Sequence, residues 1–66
     1  MRVIVNGELQ TLADGLTLAG LIGGLNLNQR RVAVEVNRKI VAREDYGTRA
    51  LHEGDEVEIV HFVGGG

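Results

Sequence analysis

Only one stretch of this chain carries a helical repeat, and that restricts the fold to a sheet covered by a single helix. Leu18, Leu21, Ile22 and Leu25 recur at i, i+3, i+4 and i+7, the apolar stripe of a short helix. Thr17 before the stripe predicts an N-cap, its hydroxyl accepting a free backbone N–H of the first turn. Gly20 inside the helix costs about 1 kcal/mol relative to alanine. Packing against a sheet must therefore hold the helix, and Gly23 and Gly24 end it. These glycines do not make a phosphate loop, which sits between a strand and a helix start and is followed by Lys-Ser/Thr.

The remaining runs alternate or turn. Met1, Val3 and Val5 share one strand face, with Arg2 and Ile4 on the other. Asn6-Gly7 is a strong hairpin signal, because both residues tolerate positive φ. Glu8 to Leu12 returns as the second strand, and Ala13-Asp14-Gly15 breaks it. Asn26 to Arg30 is polar and reads as a loop. Val32, Val34 and Val36 alternate on a third strand, Asn37-Arg38 turns, and Lys39 to Ala42 is a short fourth strand. Glu44 to Arg49 is irregular and suits one turn of helix. Leu51 reads as a core anchor and His52-Glu53-Gly54-Asp55 as a tight turn. In the last strand, from Glu56 to Val63, Val57 and Ile59 face one way, and Glu58, Val60 and Phe62 the other. This order predicts an α+β fold of the β-grasp, or ubiquitin-like, kind. It is a mixed sheet of about four to five strands with one main helix. Its first and last strands run parallel, and the middle of the chain supplies the long crossover they need. Residues 1–63 form the domain and residues 64–66 a flexible glycine tail.

A chain of 66 residues makes one domain, and at this size only about 60% of the unfolded surface is buried. That favours a binding or carrier role over a deep active site. There is no cysteine, which excludes disulfides, thiolate zinc sites and a persulfide on a side chain. The net charge of -2 is not that of a phosphate-backbone binder, and Tyr46 and Phe62 alone offer little base stacking. No nucleic-acid partner is expected. No run is long enough to span a membrane, and Met1 enters a strand without a leader. The expectation is a cytoplasmic protein with no membrane partner.

The candidate site is the tail. Gly64, Gly65 and Gly66 follow the last strand, and without side chains they can thread a narrow channel in a partner. A terminal carboxylate on Gly66, with a pKa of about 3.3–3.7, is ionised and must be activated before any acyl chemistry. Ile4, Val60 and Phe62 point away from the helix-covered face. With the first and last strands as neighbours they are expected to form an exposed apolar docking patch leading to the tail. His52 and His61 are a weak metal signal and read as solvated or packed. Glu53, Asp55, Glu56 and Glu58 read as a solvated face, with acidic residues near the tail able to steer a basic partner. Arg30, Arg31, Arg38, Lys39 and Arg43 read as solvated, with Arg43 expected to pair with a local carboxylate. No metal site and no catalytic constellation are expected, so the chain is not read as an enzyme.

Several ordered stretches resemble the ThiS family, sulfur carriers of thiamine biosynthesis in the ubiquitin-like ThiS/MoaD superfamily. They are Val5-Asn6-Gly7-Glu8, the helix start at Thr17, Val32-Ala33-Val34-Glu35-Val36-Asn37, and Ile40-Val41-Ala42-Arg43. Tyr46 follows, then Leu51 with Glu53-Gly54-Asp55, and the closing run from Val57 to Gly66. The chain departs from the family in having Ala42 where proline is common, and in lacking an acidic residue near Gly20. The resemblance implies that an E1-like adenylating enzyme of the ThiF type uses ATP to adenylate Gly66. Sulfur drawn from cysteine through a desulfurase then replaces AMP, and the resulting thiocarboxylate donates sulfur to a thiazole synthase of the ThiG type. The carrier itself would bind no cofactor. Three other readings share the fold: a molybdopterin-synthase small subunit, a carrier for another thiolation pathway, and a plain β-grasp interaction module that needs no free diglycine end.

Overall fold

The computed structural model describes residues 1–62; the end of the expected last strand, Val63, and the tail Gly64–Gly66 lie outside the described residues. Strands β1 (Arg2–Val5) and β2 (Glu8–Thr11) form the opening hairpin. Helix α1 (Leu18–Gly24) follows, then β3 (Val32–Val36), β4 (Lys39–Val41) and β5 (Glu56–His61). The sheet order is β2-β1-β5-β3-β4, with β1 and β5 parallel and the other neighbours antiparallel. The expected mixed sheet, single helix and parallel pair of first and last strands are all present. The stretch expected as loop holds a 3-10 turn at Gln29–Arg31, capped by the Asn28 side chain accepting from Arg30 N–H at 2.8 Å. A second 3-10 turn spans Arg43–Asp45.

The inward residues of β1, β3 and β5 meet Leu18, Leu21 and Ile22 of the helix in one core, joined by Tyr46 and Leu51. Tyr46 is buried, and its hydroxyl donates to the Val32 carbonyl, which gives the ring a polar partner inside the core. Leu25 departs from the expectation. The helix ends at Gly24, so Leu25 is its C-cap and lies 46% exposed. A seven-residue helix gains little from its own backbone cooperativity, and its first N–H groups need outside partners. The Thr17 hydroxyl accepts from Gly20 N–H at 3.1 Å, as expected of the cap. Leu18 N–H donates to the Arg49 carbonyl and Ala19 N–H to the Tyr46 carbonyl. The segment from Tyr46 to Leu51 thus holds the helix start against the sheet. Gly20 leaves room for Leu16: a Cβ there would stand 2.6 Å from Leu16 Cδ1.

Two asparagines extend the ladder on both sides of β5. Asn6 and Asn37 open tight turns at φ 50° and 52°, followed by Gly7 and Arg38, also at positive φ. At Asn6 the side chain, and not the backbone carbonyl, accepts from Ile59 N–H of β5. Asn6 Oδ1 accepts from this N–H at 2.7 Å, and Asn6 Nδ2 donates to the Ile59 carbonyl at 3.3 Å. Across β5, Asn37 Oδ1 accepts from Glu56 N–H at 3.0 Å, while Asn37 N–H donates to the Glu56 carbonyl.

Asp55 corrects the expectation of a solvated carboxylate. It is 8% exposed. Its Oδ1 accepts from Asn37 Nδ2 at 3.0 Å and its Oδ2 from His52 N–H at 2.9 Å. Two donors satisfy the buried charge and brace the turn where Gly54 takes φ 85°. Arg43 corrects the second expectation, since it donates to the carbonyls of Gln29 and Arg30 and not to a carboxylate.

Asn6→Gly keeps the positive φ and removes both side-chain bonds. It should cost about 1–3 kcal/mol in urea unfolding. Amide exchange should lose protection at Ile59 and keep it at Val57. Unchanged protection at Ile59 would show that the side chain does not carry that rung.

Candidate functional site

β5 is the middle strand of the sheet, and its end leads to the glycine tail. β1 pairs with β5 only at Glu56 and Val57, whereas β3 follows it to His61. Phe62 N–H still donates to the Arg31 carbonyl at 2.7 Å, so the chain is held up to the last described residue.

The helix covers one face of the sheet and leaves the other open. By strand register and alternation, the open face carries Arg2 and Ile4 from β1, Leu9 from β2, and Ala33 and Glu35 from β3. Ile40 comes from β4, and Glu56, Glu58 and Val60 from β5, with Phe62 following. Ile4, Val60 and Phe62 are on this face, as expected, but they are not one patch. Ile4 is half-buried beside Leu9 and level with Glu56. Val60 lies four residues beyond Glu56 along β5, about 13 Å at the strand rise, and Glu58 comes between. The apolar neighbour of Val60 is Ile40, which shares a hollow with it. Sequence reasoning passed over Ile40. Its signal was the alternation of Lys39-Ile40-Val41, which puts Ile40 out of phase with the core-facing Val41. Val60 is 55% exposed, Phe62 53% and Ile40 82%. Gly64, Gly65 and Gly66, the sites expected for threading and sulfur attachment, lie outside the described residues.

The charges on this face are mostly acidic. Arg2 and Glu53 form the ion pair at its far end: Arg2 N–H donates to Glu53 Oε1 at 2.7 Å and Arg2 Nε to Oε2 at 3.0 Å. The backbone N–H of Arg2, followed by its guanidinium, holds the Glu53 carboxyl below its ordinary value. The pair is exposed and stabilises the fold little. Glu35, Glu56 and Glu58 form no ion pair among the described residues. His52 and His61 are exposed, and His52 Nδ1 stands 3.9 Å from Asp55 Oδ2. No group of three or more His, Asp or Glu side chains among the described residues is placed to hold a metal ion. No described helix is long and apolar enough to cross a membrane. The site therefore offers a flat, apolar and acidic sheet face beside the root of the tail, a surface suited to a protein partner.

Comparison with known proteins gives consistent relatives. The thiazole synthase of Magnetococcus marinus is 46% identical over all 66 residues, which make up 20% of that protein. The thiazole synthase of Paramagnetospirillum magneticum is 41% identical over the same span and again 20% of its length. The chain thus spans about a fifth of these curated relatives. The sulfur carrier protein ThiS of Bacillus subtilis is 42% identical over 63 residues, covering 94% of this chain and 96% of that one. The crystal structure of the thiamine biosynthesis protein ThiS from Geobacter metallireducens superposes with a TM-score of 0.83 at 35% identity, with both chains wholly covered. It has the same β-grasp fold. The sequence model of the ThiS family matches residues 3–66, from the first strand through the last glycine, and this chain belongs to the ThiS family.

Proposed function

We propose that the chain is a sulfur carrier of thiamine biosynthesis whose working group is the carboxylate of Gly66. The supporting observation is that the family match extends to Gly66, in a chain without cysteine. In this reading the acyl group of Gly66 holds the sulfur. A partner enzyme of the E1-like, ThiF type joins the carboxylate to the AMP moiety of ATP and releases pyrophosphate. Sulfur at the hydrosulfide level displaces AMP and leaves a thiocarboxylate. A thiazole synthase of the ThiG type accepts the sulfur, and the carboxylate is restored. The carrier supplies a reacting group and a docking surface, and catalysis belongs to the partners. The thiazole synthase relatives that contain a segment matching this whole chain support that pairing of carrier and synthase.

In this reading the partner sits on the open sheet face. Val60 and Phe62 anchor it next to the tail, with Ile40 beside them and Ile4 at its far margin. A carrier for another thiolation pathway would use the same face and tail. The names of a thiamine biosynthesis protein and of thiazole synthases among the relatives favour thiamine biosynthesis.

Removing Gly65 and Gly66 takes away residues beyond β5 and should leave the urea midpoint unchanged. It should abolish ATP–pyrophosphate exchange with the adenylating enzyme from the same genome. Undiminished exchange by the shortened chain would end the carrier reading. Phe62→Asp should keep the fold, because the side chain is half exposed. It should weaken binding to that enzyme about tenfold or more, a loss of about 1.4 kcal/mol per decade. An unchanged affinity in calorimetry would remove Phe62 from the docking surface.

A further inference from the structure

The open sheet face has a feature that its apolar residues do not explain. Glu58 on β5 stands directly opposite Glu35 on β3. Side chains so paired have Cβ atoms about 4.5–5.5 Å apart, and like charges in that position destabilise a sheet. Neither carboxylate has a cation of this chain within ion-pair distance among the described residues. Beside them lies a hollow of about 280 Å³ whose lining includes Ala33, Ile40 and Val60 as well as both glutamates. β4 and β5 flank β3, so Val60 stands opposite Ala33 on one side of β3 and Ile40 opposite Glu35 on the other. The hollow thus has apolar walls and two carboxylates, and it lies on the strand that leads to the tail.

We infer that this hollow is the seat for one arginine or lysine side chain of the partner protein that receives the tail. The fit is to the two halves of such a side chain. Its aliphatic stem lies along Ile40 and Val60, and its cationic head bonds both carboxylates and relieves their repulsion. Arginine suits the site best, because its planar fork can reach two carboxylates at once. A second copy of this chain does not suit it, since the copy would bring the same acidic face and a net charge of -2. The inference rests on the carrier reading for the partner's identity, and it goes beyond that reading by stating the chemistry the partner must present.

The test uses the adenylating enzyme from the same genome and calorimetry across a range of sodium chloride concentrations. The wild-type chain should bind more weakly as salt rises. The double variant Glu35→Gln with Glu58→Gln should bind about tenfold or more weakly at low salt and lose most of the salt dependence. Its melting temperature should be equal or higher, because the facing charges are gone. Glu58→Lys fills the seat from within, so it should melt higher than wild type and bind worse. Binding by the double variant within twofold of wild type, with the same salt slope, would overturn the inference. Pyrophosphate exchange on the same samples separates the two claims. Salt-sensitive binding of wild type without exchange would end the carrier reading and leave the seat standing. Absence of any wild-type binding would overturn both.

Discussion

The fold depends on how β5 is held. This strand is central in the sheet, yet its parallel neighbour β1 stays beside it for only two residues, Glu56 and Val57. Two turns extend its pairing, one on each side. At each, an asparagine sits at positive φ, and its side-chain oxygen accepts the strand amide. A buried backbone N–H without a partner is costly. The asparagines therefore let the chain turn sharply without giving up a rung. Asn37 then reaches on to the buried Asp55, which ties the turn before β5 to the turn after β3.

The second requirement is a cover for the sheet. α1 is too short to be stable alone, and its start is completed by the carbonyls of Tyr46 and Arg49 together with the Thr17 cap. Helix and crossover segment thus form one lid over Val3, Val34 and Val57, with Tyr46 and Leu51 filling its underside. All this stabilising structure lies on one side of the sheet. The other side is open, and in the proposed function it receives the partner.

Much of this was legible in the sequence because its periodicities do not compete. Val32, Val34 and Val36 admit only a strand, and Leu18, Leu21 and Ile22 only a helix. The pairing of a hairpin at Asn6-Gly7 with a late alternating strand leads to the β-grasp order. The failures come from relations between elements. Leu25 fits the stripe, but helix length is set by where the packing against the sheet stops. Asp55 looks like a turn carboxylate, and only its partner eighteen residues away explains its burial. Ile4 shares the phase of Val60, but the offset between β1 and β5 cannot be read from either strand alone. That offset sets Ile4 level with Glu56, places Glu58 before Val60 and makes Ile40 the true companion of Val60. In the sequence the asparagines are turn formers, and their service to β5 depends on contacts across 53 and 19 residues.

The central claim is that Gly66 carries sulfur. The most direct measurement is intact mass with thiol-selective alkylation on the protein purified from its native host. Sulfur replacing oxygen raises the mass, and oxidation of Met1 gives nearly the same increase, so the label must distinguish them. With no cysteine in the chain, a thiol-selective label localised to Gly66 identifies a thiocarboxylate, and that is the result expected. An unlabelled chain, even after incubation with ATP, a sulfur donor and the adenylating enzyme, would contradict the account and leave a β-grasp interaction module in its place.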